Sequence, residues 1–578
     1  MPGFLGYIGK RTNQSIFGKN QRKDLANDII SNDLIYLERR TVNKFLNDKV
    51  FIENEEFIVV TEGVILNSKD LINKYNCINL SEAIIEMYKK NGNEFFNEFR
   101  GSFSGFLCDK KNNKEIIYTS HIGDKQVFYS KVGNDFVFGS EINFIIEYYK
   151  KSNIKYNLNE VGAYNLLTYG YMLEENTLFS EIKKLIAGHY ILITNNSIDI
   201  IQYYKLDNDT NYSQTEEEII ENIDILFRQA VKRAFNKDKE YGYRHLVALS
   251  GGLDSRMTTW VANDMGYGSN IVNYTFSQSG YLDETIAKKI AGDLKHEWIF
   301  KFLDNGLFLM NIEEIVKISS GGALYYGLGH GKSCLDLIDL DTFGIVHSGQ
   351  LGDVIIGTYF SSLDSDKEYS IGDGAYSKML INKLDNHSLK LKYKNQEIFK
   401  FYNRGFNGIN QGLLTSQEST ETYSPFCDLD FLKYCLQIPL KFRYNHNIYF
   451  KWILKKYRRA ANYKWETLNG KITDKKVNIL NRQILLKQLP IKSIYYLKRK
   501  LGIQKSALSS KNHMNPLDYW YDTNKDLRDF MENYYESNIN RLSFNKELMN
   551  DCKYLYNKGN NIEKNQVLTL LSVLKLYF

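Results

Sequence analysis

Proline is nearly missing from this chain, with 5 in 578 residues. Tyr (43) and Phe (33) are abundant, and the pair of biases reflects a codon composition favouring Lys, Asn, Tyr, Ile and Phe, not a structural class. Cysteine is sparse too. Cys77, Cys108, Cys334, Cys427, Cys435 and Cys552 form no C-x-x-C pair and have no His cluster beside them, which argues against a structural zinc site. Scattered thiols suit a reducing cytosol. No basic segment followed by a long apolar run opens the chain, so no signal peptide is expected. No stretch reaches the roughly 20 apolar residues that span a bilayer. Neither sign of charge dominates: 74 Lys and Arg against 68 Asp and Glu leave +6, too little over this length for a committed nucleic-acid surface. The expectation is a cytoplasmic protein without a transmembrane segment, its oligomeric state left open.

What is there is an ordinary globular composition, 43% hydrophobic and 25% charged, in a chain too long for one core. The first 200 residues or so read as β-rich. Phe57–Val60, Ile116–Tyr118, Val127–Tyr129 and His189–Ile193 are short apolar, aromatic or β-branched runs broken by Gly and Asn. A polar stretch, Asp207–Asn211, precedes a helical pattern that starts at Thr215-Glu216-Glu217-Glu218 and sets Ile219, Ile223, Leu226 and Val231 on one face. The boundary is placed near residue 205, giving domains 1–205 and 206–578. Beyond it strands and helices alternate: Leu246–Leu249 (strand), Ser255–Asn263 (helix), Ile271–Phe276 (strand), a helix from Asp283, and a later strand at Phe343–Val346. That alternation predicts a parallel α/β sheet with ligands beyond the strand C-termini. Residues 425–578 read as mainly helical and Lys-rich.

Ser250-Gly251-Gly252-Leu253-Asp254-Ser255 lies between the first strand and its helix. Gly251 and Gly252 are expected to adopt backbone angles that other residues avoid, turning N–H groups toward one point. The helix start adds free donors and a positive dipole end, and Ser250 and Ser255 add hydroxyls. Asp254 would repel a bare phosphate, so its place in such a loop implies Mg²⁺ bridging to phosphates. The loop is not a Walker A motif, because G-x-x-x-x-G-K-[ST] is absent. The full string resembles the PP-loop of the ATP pyrophosphatases, which split ATP into AMP and pyrophosphate.

Within that superfamily the chain resembles asparagine synthetase B and its relatives, which include β-lactam synthetase and lasso-peptide cyclases. Asp283-Glu284 matches an acidic pair that opens a helix after the second strand; an ordinary acidic first turn is the competing reading. Ser348-Gly349-Gln350-Leu351-Gly352-Asp353 resembles the family's S-G-E-G-A-D and places Asp353 on a second Mg²⁺ carboxylate beside Asp254. Leu249 and Phe276 at strand ends, with Ser348 and Gly349, complete the nucleotide site that the resemblance implies. Glu421-Thr422-Tyr423-Ser424-Pro425-Phe426-Cys427-Asp428 resembles E-x-R-x-P-F-x-D and makes Glu421 a candidate proton acceptor. Lys451-Trp452-Ile453-Leu454-Lys455 resembles K-x-x-L-R, and Lys471 stands 20 residues after Lys451, at the family's charge-stabilising lysine. Lys464, Lys475 and Lys476 are rivals for that role.

The first domain resembles the family's glutaminase, which needs Cys at position 2 as nucleophile. Here that residue is Pro2, and positions 1–6 hold no Cys, Ser or Thr. The family's Asn-Gly-Glu appears as Glu62-Gly63-Val64, and its Arg-Asp as Thr119-Ser120. No glutamine hydrolysis is expected, while scaffold motifs such as Arg100–Gly105 and Phe138–Glu141 remain. The resemblance implies an Ntn-hydrolase-like β-sandwich flanked by helices, followed by an adenine nucleotide α-hydrolase-like parallel sheet. It implies ATP and Mg²⁺, a carboxylate substrate (small molecule, sugar acid or peptide), and ammonia or an amine as co-substrate. The expected activity is an AMP-forming carbon–nitrogen ligase in surface-polysaccharide or secondary-metabolite synthesis. Gln350, where asparagine synthetases carry Glu, counts against aspartate. A lasso-type macrocyclase and a non-catalytic ATP-binding scaffold stay open as alternatives.

Overall fold

A computed structural model describes residues 2–9, 16–17, 22, 24–195, 197–210, 213–384, 389–479, 482–485 and 510–578. The N-terminal part is a sandwich of two antiparallel sheets. Its strands are β1 (Gly3–Ile8), β2 (Leu25–Ser31), β3 (Ile35–Val42), β4 (Phe51–Glu53), β5 (Phe57–Ile65), β6 (Gly101–Asp109), β7 (Lys114–Thr119), β8 (Phe128–Val132), β9 (Asp135–Gly139), β10 (Lys183–Lys184), β11 (His189–Ile193) and β12 (Ile198–Gln202). They order as β10-β8-β9-β1-β3-β2 in one sheet and β12-β11-β7-β6-β5-β4 in the other. Strand β5 shows why the sheets stack. All nine of its residues are buried, and successive side chains point to opposite faces. Ile58 and Val60 pack with Phe4, Leu37 and Phe138 of the facing sheet. Phe57, Val59 and Ile65 pack with Leu80, Ile84 and Met87 of the helix Leu80–Asn91.

The helix Glu216–Glu240 follows the second sheet. Thr215 caps it in a capping box with Glu218, and Ile219, Ile223, Phe227, Val231 and Phe235 form its buried face. Leu226, expected on that face, lies at its partly buried edge. Next comes a parallel sheet, β13 (Arg244–Ala248), β14 (Ile271–Ser277), β15 (Glu297–Phe302), β16 (Phe343–His347) and β17 (Thr422–Tyr423), in the order β15-β14-β13-β16-β17. The strand order reverses at β13, which has β14 on one side and β16 on the other. In a parallel sheet the crevice beyond such a reversal is where ligands bind. The remaining described chain is largely helical, ending in the buried helix Asn561–Tyr577.

The two parts share cores. Phe45, Val64, Ile122 and Ala187 pack in one cluster with Ile223, Leu249 and Phe426. Leu166 and Tyr169 share another with Ile315, Leu571 and Val573. Buried ion pairs cross the same boundary, including Lys237 Nζ to Asp48 Oδ1 at 3.2 Å. Among the described residues no helix is long and apolar enough to cross a membrane.

Candidate active site

Pairing of β13 with β16 sets Val247 against His347, so the loops that leave both strands emerge side by side. The first runs from Ser250 into the helix Asp254–Asp264. The second runs from Ser348 to Gly352 and enters a wide helical turn at Asp353–Gly357. They touch where the Asp353 backbone N–H donates to Asp254 Oδ2 at 3.0 Å. The Tyr449 hydroxyl donates to Asp254 Oδ1 at 2.9 Å.

Crowding calls for glycine at positions 251, 349 and 352, which corrects the expectation of unusual angles at Gly251 and Gly252; a Cβ at Gly252 would meet only the Ser250 hydroxyl, at 3.2 Å. Neither has positive φ; the left-handed residue of the second loop is Leu351, at φ 65°. A Cβ at Gly349 would stand 2.3 Å from Ser255 N, and one at Gly352 would stand 2.7 Å from Asp254 Cγ. A Cβ at Gly251 would approach Glu466 Cβ to 2.9 Å. Only backbone without side chains lets two loops and a hairpin converge this closely.

The loop amides are held by side chains. Gly251 N–H donates to Asp283 Oδ1 at 2.7 Å, and Ser250 N–H to Ser255 Oγ at 3.0 Å. Buried Arg256 donates to Gly251 O at 3.1 Å and to Lys464 O at 2.5 Å, clamping the loop to the segment after the helix Asn447–Lys456. Burial raises the Asp283 carboxyl to about 6, with Glu466 adding to the shift and the Gly251 N–H opposing it. Burial also raises the Asp254 pKa well above its ordinary value, and the Asp353 charge adds to the rise. Asp353 is solvent-accessible yet crowded by protein atoms, and that crowding raises its pKa while His446 opposes the rise. Two neighbouring carboxylates, one raised by the other's charge, form a fitting donor pair for a divalent cation.

A cavity of about 660 Å³ opens onto these loops. Ser250, Gly252, Asp254, Ser255, Phe276, Ser348 and Gly349 all line it. Leu249 lies buried behind the loop. Residues that the motifs did not single out complete the wall, among them Tyr171, His330, Tyr376, Arg404, Gln411 and Asn515. His330 lies against Phe276, tilted by 30° with centroids 4.8 Å apart, and its Nδ1 accepts from Asn515 at 2.8 Å. Burial lowers its pKa to about 4. These wall residues come from separate elements, and no local spacing links them.

The three expected catalytic side chains are not brought together. Lys451 pairs with Glu216 at 2.5 Å, away from the cavity. Its helix turns by about 100° per residue, so Lys451 and Tyr449 leave on nearly opposite sides, and Tyr449 takes the inward one. Glu421 is buried between Lys49 (2.9 Å) and Lys125 (2.8 Å). Despite burial, those ammonium groups hold its pKa below the ordinary value, a poor setting for a proton acceptor. Lys471 is exposed on the hairpin of β18 (Lys464–Trp465) and β19 (Gly470–Lys471). That hairpin abuts the loop, since Glu466 N–H donates to Gly251 O at 3.1 Å. Its rival Lys464 is also exposed, and the Lys476 side chain lies outside the described residues.

In the N-terminal part, Glu62 points into the same charge cluster. It accepts from the Thr41 hydroxyl at 2.7 Å and lies 3.7 Å from Lys49. Elsewhere, Asp238 Oδ2 accepts from His245 Nδ1 at 2.8 Å and His347 Nε2 at 2.7 Å, all buried. Asp238 Oδ1 accepts from Ile345 N–H at 2.7 Å. This trio bonds internally beneath β13 and β16.

Residues 47–204 match the family model of a glutamine amidotransferase domain. A putative asparagine synthetase [glutamine-hydrolyzing] 2 from Methanocaldococcus jannaschii is 27% identical over 271 residues, 44% of this chain and 52% of the relative. Asparagine synthetase [glutamine-hydrolyzing] 2 from Bacillus subtilis is 27% identical over 218 residues, 35% of this chain and 28% of the relative. The match thus spans about half of the first relative or less. Among solved structures, the glutamine phosphoribosylpyrophosphate amidotransferase of B. subtilis aligns with 48% of this chain and 67% of its own, at 10% identity and a TM-score of 0.25. The class defined by fold and matches is an amidotransferase-type sandwich joined to an α/β module with paired glycine-rich loops. Within that class, the chain is similar in sequence to asparagine synthetases.

Proposed function

We propose that this protein is an ATP-dependent ligase that converts a carboxylate to an acyl-adenylate and then to an amide, without a glutaminase of its own. The observation that carries the reading is the hydrogen bond from the Asp353 N–H to Asp254, the carboxylate that lines the cavity. In this reading both carboxylates hold Mg²⁺, which would neutralise the phosphates of bound ATP. Ser250, Gly252, Ser255, Ser348 and Gly349 cradle the nucleotide, with Leu249 behind them and Phe276 beside His330. The substrate carboxylate attacks the α-phosphorus, the bond to pyrophosphate breaks, and Lys471 on the adjacent hairpin meets the developing charge. An amine then displaces AMP.

The lining offers no ready base. Asp254 is the one carboxylate among the described lining residues, and it is committed to the metal pair. His330 and His513 also line the cavity, and each engages its Nδ1 at Asn515, His330 with the side-chain amide and His513 with the backbone. The amine must therefore arrive unprotonated. Gln350 Oε1, buried in the cavity wall without a hydrogen-bond partner among the described residues, suits an N–H of that amine. Pro2 in place of a nucleophile, and Glu62 tied into the Lys49 cluster, support loss of glutamine hydrolysis. The domains of the proposal are 1–205 and 206–578.

The test is pyrophosphate release from ATP across a panel of carboxylates, with ammonium or glutamine as nitrogen source. Ammonium should support turnover, rising with pH as ammonia is freed, and glutamine should yield no glutamate. Asp254→Asn should lower pyrophosphate release by about a hundredfold or more while the circular dichroism stays unchanged. Release of ADP and phosphate would overturn the reading, and glutamate release would overturn the loss of the glutaminase.

A further inference from the structure

Apart from the candidate active site, a small cavity of about 20 Å³ lies where the two parts of the chain meet. That volume holds one water or one monatomic ion and excludes carboxylates and phosphates. Lys184, Asn176 and Thr177 line it from the N-terminal part, and Ser319, Asn407 and Gln411 from the other. Lys184 is the one charged or titratable side chain among the described lining residues.

Lys184 is 6% exposed, and its ammonium makes a single hydrogen bond among the described residues, to Asn407 Oδ1 at 2.8 Å. An ammonium carries three donors, so two have no acceptor there. The carboxylates nearest in sequence are engaged elsewhere. Glu174 accepts from the Lys390 and Leu391 N–H groups and from the Tyr393 hydroxyl, and Glu175 pairs with Lys390. The hydroxyl of Ser319, a residue 8% exposed, is a second group without a partner among the described residues. Burial lowers the Lys184 pKa to about 7, as expected for a cation that no protein group compensates. A water in the cavity would accept from Lys184 and leave that charge uncompensated. A monovalent anion supplies the missing charge and accepts from the ammonium and the hydroxyl together.

We propose that this cavity binds a single halide ion, chloride in ordinary buffers, held by Lys184 and Ser319 between the two parts of the chain. Binding keeps Lys184 protonated, so the ion and a proton are taken up together. The ion joins β10 to the end of the helix Ile312–Ser319. Gln411 lines both this cavity and the large one, so the site adjoins the wall of the candidate active site. The halide site stands whether or not the ligase reading does, because melting temperature and not turnover reports on it.

The full chain is melted in sodium gluconate and with gluconate replaced stepwise by chloride or bromide at constant ionic strength. Near pH 6 either halide should raise the melting temperature by about 2 °C or more, in a saturable way. Near pH 9 the rise should shrink, because the protonated ammonium that the ion needs is then scarce. Lys184→Met should abolish the halide response. In gluconate near pH 6 that variant should melt above the wild type, and chloride should narrow the gap. Ser319→Ala should raise the half-saturating halide concentration about fivefold or more, and it decides the matter should Lys184→Met not fold. Crystals grown in bromide should show anomalous density within hydrogen-bond distance of Lys184 Nζ. A wild-type halide response no larger than that of Lys184→Met, an equal response near pH 6 and near pH 9, or an unchanged half-saturating concentration in Ser319→Ala would overturn the site. Bromide density at surface positions alone, an adventitious ion only, would overturn it too and leave a water in the cavity.

Discussion

Tyr449 donates its hydroxyl to Asp254, and it does so from a helix whose first motif residue, Lys451, faces Glu216. A hydrogen bond to a charged group contributes about 1.5–3 kcal/mol. Tyr449→Phe, which removes only that donor, should therefore slow pyrophosphate release roughly ten- to hundredfold. Lys451→Met should change it by less than about threefold, because an exposed ion pair contributes little. Parallel initial-rate measurements of both variants check this, and a larger loss for Lys451→Met would return that lysine to the reaction. Both residues are visible in the sequence. Which of the two faces the cavity follows from the phase of the helix against β13, and no spacing within the segment states that phase.

At the scale of elements, short strands and single turns do the positioning. The elements bearing Asp254 and Asp353 were legible, because buried strands bounded by Gly and Ser announce themselves. Their meeting depends on β13 pairing with β16 across roughly a hundred residues of intervening chain. Strand β10 poses the opposite case. It sends Lys184, almost fully buried, to Asn407 at 2.8 Å with no carboxylate nearby among the described residues. Burial lowers its pKa from 10.5 to about 7. Between about pH 7 and 10.5 the unfolded chain holds a proton that the folded chain has released, so stability rises with pH across that window. Below about 7 the folded protein carries the full cost of the buried charge. Lys184→Met should thus raise the melting temperature most at pH 6, and the gain should fade toward pH 10. A gain that does not depend on pH would show that packing, not charge, limits this site.

Over the whole molecule, the boundary between the two parts holds a buried cluster of Lys49, Glu62, Lys125 and Glu421. Removing one member leaves opposite charges stranded, at a cost of about 3–5 kcal/mol. Glu421→Leu should lower the melting temperature accordingly, and adding Lys125→Met should recover part of the loss. Urea denaturation of the single and double variants measures this. An active-site base at Glu421 would instead show lost turnover with stability unchanged. Shared apolar clusters and these ion pairs make the N-terminal part a structural partner of the part that carries the parallel sheet.

The chain by itself determined the two fold types, the order of strands and helices, and the glycine-serine-aspartate strings at two strand ends, because each is written in local periodicity and local steric demand. Pro2, at the position where the resemblance expects a nucleophile, was equally plain. Only the tertiary structure decided that the glycines serve close approach, that Glu421 sits in an ion cluster, that Tyr449 displaces Lys451 from the site, and that Tyr171 and Arg404 share a wall with Asp254. Those facts depend on which surfaces of distant segments meet, and that is set by packing of the whole core, which no stretch of sequence carries alone.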